Sequence, residues 1–214
     1  METIADFLCV ATILCLIYYL FVYENNIREG LKKTCNNIDE YCYDTIETFE
    51  DHRKASELLA HVNGFIIDFI KKLKHKYIIL RKGSEEMREV IQNLVERYRP
   101  DFLKENLPEG DSTENTSYIE DKKIMGICLR ERKSGTFKFH DLELVKFVVI
   151  HELAHLGNPN FGHKKDFWMI FKTLLKDAHE FGIYIPVDYR KNPDNYCLLD
   201  INYNPYFDSK IQKI

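Results

Sequence analysis

The stretch that decides the fold runs from His140 to His163, H-D-L-E-L-V-K-F-V-V-I-H-E-L-A-H-L-G-N-P-N-F-G-H. Asp141 is suited to cap a helix, because a short carboxylate accepts hydrogen bonds from amides that the first turn leaves unpaired. Leu144, Phe147, Val148, Ile150, Leu153 and Ala154 then mark a largely buried helix. His151 and His155 stand four residues apart on it, which stacks two imidazoles on one face, close enough to bind a single metal ion. Glu152 lies beside the first of them, where it can take a proton from a metal-bound water. Two histidines and a glutamate in an apolar helix are costly to bury alone, and a Zn²⁺ ion supplies the partner they lack.

Such a site needs a third protein ligand, and His163, eight residues past His155, is the nearest candidate. Gly157, Asn158-Pro159 and Gly162 can turn the chain back towards the metal. Asp166 and Glu180 are rivals for that position. His163 also opens an amphipathic helix, with Phe167, Ile170, Phe171, Leu174, Leu175, Ala178 and Phe181 inward and Gly182 as its stop.

Working back from the histidines, Lys123 to Arg132 alternates Met125, Ile127 and Leu129 with Gly126, Cys128 and Arg130, a half-buried strand. Pro108 to Ser117 is polar and turn-rich, a surface loop. Ser84 caps a helix that places Met87, Val90, Ile91, Leu94, Val95 and Tyr98 on one face and stops before Pro100. All six prolines follow residue 99, so the first 99 residues can be nearly all helix. Ile38, Tyr41, Cys42, Ile46 and Phe49 repeat at helical spacing, and the pattern resumes from Ala55 to Leu73. Lys71 to Lys82 packs six basic residues into twelve positions. That is either a solvated helix end or a contact for anionic lipid or nucleic acid.

At the N-terminus, Phe7 to Tyr23 is seventeen residues without a charge, about 26 Å as a helix, and it predicts an uncleaved transmembrane anchor. Arg28, Lys32 and Lys33 follow it and no basic residue precedes it, which predicts a cytoplasmic C-terminal domain with Asn115 unglycosylated.

The chain has 214 residues and a formal charge of −4, which disfavours a strongly basic nucleic-acid binder. Its six cysteines include no C-x-x-C pair, and two lie in the apolar N-terminal run, so reduced thiols are expected rather than a cysteine-built zinc site or a disulfide framework.

The run Ser117 to Trp168, comprising S-Y-I-E-D-K-K-I-M-G-I-C-L-R-E-R, the H-E-L-A-H helix and G-H-K-K-D-F-W, resembles the WLM and SprT-like zinc metalloproteases, particularly versions encoded by large DNA viruses. The resemblance covers about half the chain. It implies that His151, His155 and His163 bind one catalytic zinc, that Glu152 is the general base, and that the strand at Lys123 to Arg132 belongs to a small sheet beside the site, a docking edge for an extended substrate. Better-known members carry the third histidine six residues after the second, where this chain has Phe161, so the loop here is longer.

The expectation is therefore an α+β, zincin-like chain: an anchor over 1–23, a helical stalk over 24–82 and a metallopeptidase domain over 83–214. Its function would be zinc-dependent peptide hydrolysis at a membrane. The alternatives are a non-catalytic zinc-stabilised membrane adaptor, and a protease acting on DNA-bound proteins through Lys71 to Lys82. Tyr184, Tyr189 and Tyr196 are expected to pack around the site, and Cys197 is either buried and inert or a thiolate near the metal.

Overall fold

The computed structural model describes residues 9–10, 12–18, 30–106, 116–133 and 135–214. It is α+β. A five-stranded mixed sheet comprises β1 (Leu31–Cys35), β2 (Cys42–Ile46), β3 (Leu103–Asn106), β4 (Tyr118–Glu120) and β5 (Ile124–Cys128), in the order β1-β2-β3-β5-β4. β1 and β2 are antiparallel, β3 is parallel to both β2 and β5, and β4 is antiparallel to β5 at the edge. The helices are α1 (His52–Lys74), continued by a π-helical turn at His75–Ile79, α2 (Glu85–Arg97), α3 (Leu142–Gly157) and α4 (Lys165–Glu180). A small hairpin of β6 (Asp194–Tyr196) and β7 (Leu199–Ile201) follows.

The helix starts obey local chemistry. The Ser84 hydroxyl accepts from Met87 N at 3.1 Å, and Asp141 Oδ1 accepts from Glu143 N at 2.8 Å. α3 is buried almost all round, whereas α1, α2 and α4 each bury one stripe, and one apolar core joins all four helices to the sheet.

Residues 31–82 do not form a separate helical stalk. Their apolar spacing fits a helix, but Tyr43 and Thr45 point inward at a period of two, and their strand pairs with β3. A polar knot fixes the hairpin to the helices. Asp39 accepts from Tyr43 Oη at 2.5 Å, Asn36 Nδ2 at 3.1 Å, Asn63 Nδ2 at 3.1 Å and Tyr41 N at 3.2 Å, and Asn63 in turn accepts from Tyr98 Oη at 2.8 Å. α1 contributes Ala55, Leu59, Ile66, Phe69 and Leu73 to the common core, so the boundary expected at residue 83 runs through packed structure.

The transmembrane anchor is overturned as well. Among the described residues no helix is long and apolar enough to cross a membrane. Residues 9–10 and 12–18 are helical and exposed, and the rest of the stretch 7–23 lies outside the described residues. The single-pass topology falls with the anchor, and so does the cytoplasmic placement derived from its flanks. Asn115 also lies outside the described residues.

The cysteines depart from the expected reduced state. Cys35 is joined to Cys42 across the β1–β2 hairpin, and Cys128 at the end of β5 is joined to Cys197 beyond β6, while Cys9 and Cys15 are free. Pairing of β1 with β2 sets Cys35 opposite Cys42, whereas Cys128 in the five-stranded sheet and Cys197 in the turn of the β6–β7 hairpin meet only through tertiary packing.

Candidate metal centre

α3 presents His151 and His155 on the face that meets α4, and residues 158–164 bring His163 back to them, with Gly162 at φ +78° in the turn. The three Nε2 atoms converge: 3.1 Å between His151 and His155, 3.0 Å between His155 and His163, and 3.1 Å between His163 and His151. Nitrogens bound to one tetrahedral zinc at about 2.0–2.1 Å stand roughly 3.3 Å apart. Three imidazole nitrogens aimed at one point cannot satisfy one another, since each pair shares at most one proton, and a shared cation resolves the conflict. These residues therefore fit a zinc ion.

Electrostatics agrees with the geometry. Burial, reinforced by the neighbouring imidazoles, holds His151 well below the ordinary histidine range. Burial first, then the charges of His163 and Lys122, takes His155 down to about 4, and burial also lowers His163. All three rings are neutral near pH 7, the form that ligates a metal. Burial alone pushes the Glu152 carboxyl up to about 8.

The surroundings contain residues that sequence reasoning placed only in the core. Phe167 touches all three rings: it stacks on His155 at 4.3 Å and meets His151 and His163 edge-on at 4.9 and 4.7 Å. His163 does not open α4 as expected but precedes its extended N-cap Lys164, so Phe167 reaches the three rings through the docking of α4 on α3. Two cavities flank Glu152. One, of about 340 Å³, runs past Phe147, Trp168, Phe171, Tyr196 and Tyr203; the other, of about 320 Å³, passes Tyr118, Ile119, Lys122 and Phe161. Ser117, His151, Glu152 and His163 line both. The Ser117 hydroxyl lies 2.6 Å from Tyr196 Oη.

The rival ligands are occupied elsewhere. Asp166 accepts from Asn160 Nδ2 at 2.9 Å, and Glu180 pairs with Lys76 at 3.0 Å. Cys197 does not reach the three histidines as a thiolate; it belongs to a second buried group with Cys128 and His140, whose ligand atoms lie within 4.8 Å of one another. There the sulfurs are joined, and His140 Nε2 accepts from Cys197 N at 3.0 Å, so the group acts as a clasp. Tyr184, Tyr189 and Tyr196 are all buried, and Tyr189 packs on Phe147 at 5.0 Å. In the basic stretch, Lys76 is tied to Asp177 at 2.8 Å and to Glu180, while Lys71, Lys74 and Lys82 border a surface depression away from the histidines.

The chain is 27% identical over 197 residues to an uncharacterized protein of Acanthamoeba polyphaga mimivirus, covering 90% of this chain and 93% of that one. It is 35% identical over 81 residues to an uncharacterized protein of Invertebrate iridescent virus 6, covering 38% of this chain and 44% of the relative. A third, from Invertebrate iridescent virus 3, is 38% identical over 85 residues, covering 39% of this chain and 50% of the relative. No protein-family model and no solved structure matches the chain.

Proposed function

We propose that this protein is a zinc-dependent metallopeptidase in which His151, His155 and His163 hold the metal and Glu152 is the general base. The observation that carries this reading is the convergence of three neutral imidazole nitrogens beside a buried glutamate that lines two open cavities. When bound, a zinc ion polarises a scissile carbonyl and lowers the pKa of water. The likeness of the stretch Ser117 to Trp168 to WLM and SprT-like proteases supports the same assignment.

The chain's own groups divide the remaining work. Glu152 accepts a proton from the attacking water and delivers it to the leaving amine, and a cation held by the three histidines would keep it in the carboxylate form that this requires. The docking edge belongs to β4 rather than to the strand expected at Lys123 to Arg132, because β5 is covered on both sides, by β3 and β4. Tyr118 and Ile119 of β4 border the same cavity as Glu152, so a peptide added antiparallel to β4 passes the catalytic group.

Substitution Glu152→Gln is the test. The variant should retain one zinc per chain and lose hydrolysis of an unfolded protein substrate by at least about a thousandfold. Turnover close to the parent's would remove the assigned base. A parent that binds zinc but cleaves nothing in a broad peptide mixture would leave the non-catalytic, zinc-stabilised reading.

A further inference from the structure

Lys122 lies outside the H-E-L-A-H motif, in the turn between β4 and β5. Its backbone is unusual. Asp121 and Lys122 both have positive φ, +49° and +56°. A non-glycine residue with a Cβ is disfavoured in that region, and lysine has no side-chain hydrogen bond to its own backbone to offset the cost, as asparagine and aspartate do. Both values belong to the type I′ turn of this hairpin, closed by Lys123 N donating to Glu120 O at 2.9 Å, so the turn itself accounts for them.

What singles Lys122 out is its side chain, which reaches the metal centre. The Lys122 ammonium donates to Asn158 O at 2.9 Å, to Asn160 O at 3.2 Å and also to the carbonyl of His155, itself one of the three converging histidines. It sits 4.7 Å from the centre of the Phe161 ring, in the loop that ends at His163. Among the described residues no carboxylate is within ion-pair reach of it, so backbone carbonyls and an aromatic face meet its charge. One ammonium thus binds the last turn of α3, which carries His155, and the loop that carries His163.

We infer that Lys122 is a positioning residue for the metal centre: through its ammonium it holds His155 and His163 at the separation that one zinc ion requires. The inference rests on the three-histidine reading of the site. It makes a prediction opposite in sign to simple electrostatics. A cation beside a zinc site opposes the metal's charge, so removing it would tighten binding if charge were its only contribution. If the ammonium instead sets the ligand geometry, removing it weakens binding.

The experiment is a zinc-affinity titration against a competing chromophoric chelator, using the full chain, Lys122→Met and Lys122→Arg. Supporting residues of this kind typically control metal affinity by 10- to 100-fold. The expected result is zinc bound about tenfold or more weakly by Lys122→Met, with a smaller loss for Lys122→Arg, which keeps the cation but replaces a compact ammonium by a longer, planar guanidinium. Thermal unfolding of the metal-free proteins separates this effect from loss of fold, with midpoints expected to agree within about 4 °C. If Lys122→Met fails to fold, Lys122→Ala is read in its place: zinc bound about tenfold or more weakly by the folded variant supports the inference, and affinity within about threefold of the parent's overturns it. Equal or tighter zinc binding by Lys122→Met would also overturn the inference while leaving the three-histidine site intact. A folded parent that takes up no zinc would overturn the site itself, and the inference with it.

Discussion

Phe167 touches each of the three imidazoles, so its ring sets both the packing and the orientation of the candidate ligands. Replacing it with alanine should cost about 3–5 kcal/mol of stability, as for other buried aromatic truncations, which denaturant unfolding would measure. Asp39 makes a different case. Burial raises its pKa, but hydrogen bonds from Tyr43, Asn63, Asn36 and Tyr41 outweigh that and hold it below its ordinary 3.8. A depressed carboxyl contributes stability that is complete above its unfolded value and is lost as pH falls through the folded one. Melting temperatures of the parent should therefore decline more steeply below about pH 4 than those of Asp39→Asn, and parallel curves would refute this role. That His151 and His155 share a face was legible from spacing alone, because four residues on a helix fix it. His163 was one of three candidates, and its approach depends on the loop over residues 158–164. Phe167 and Lys122 were not legible, since what they touch depends on how α4 and the β4–β5 turn dock.

The C-terminal end of α3 shows how an element can be held by its neighbours. The last carbonyls of a helix lack intrahelical partners. Here Lys122 takes His155 O, Arg97 Nη1 donates to Leu156 O at 2.7 Å, and Asn93 Nδ2 donates to Gly157 O at 2.9 Å. α2 approaches so closely that a Cβ on Gly157 would lie 2.8 Å from Val90 Cγ1 and 3.1 Å from the backbone oxygen of Val90. Alanine there gains about 1 kcal/mol of helix propensity but must displace a neighbour. The displaced groups include backbone, so Gly157→Ala should be destabilising by about 1–2 kcal/mol, read as a fall of several degrees in melting temperature. In the sequence Gly157 marked a turn towards His163; the second reason for a glycine, contact with α2, needs the tertiary arrangement. The strands β1 and β2 escaped notice for a related reason. The apolar residues around β2 fit two periods, and pairing with β1 on one side and β3 on the other selected the extended one.

At the scale of the molecule, sheet and helices share one core, and the part of the chain before Gly83 supplies two strands and a long helix to it. A fragment beginning at Gly83 should consequently show no cooperative unfolding transition, while the full chain shows one; a cooperative melt from the fragment would contradict the shared core. The buried ion cluster depends on the same long-range assembly. Arg130 Nε donates to Glu105 at 2.7 Å, and Arg130 pairs with Asp51 at 2.8 Å, joining β3, the start of α1 and the segment after β5. Arg130→Met would strand the buried Glu105 and should cost about 3–5 kcal/mol by equilibrium unfolding, with partial recovery on adding Glu105→Gln. No periodicity announces such a cluster, because its members come from three distant stretches.

The bridge from Cys128 to Cys197 encloses α3, α4 and all three histidines within a single covalent ring of chain. A cut anywhere between those cysteines, by an added protease or by the molecule acting on itself, leaves both pieces tethered. Nicked and intact protein should therefore run as one band on a denaturing gel without reductant and separate only when thiol is added.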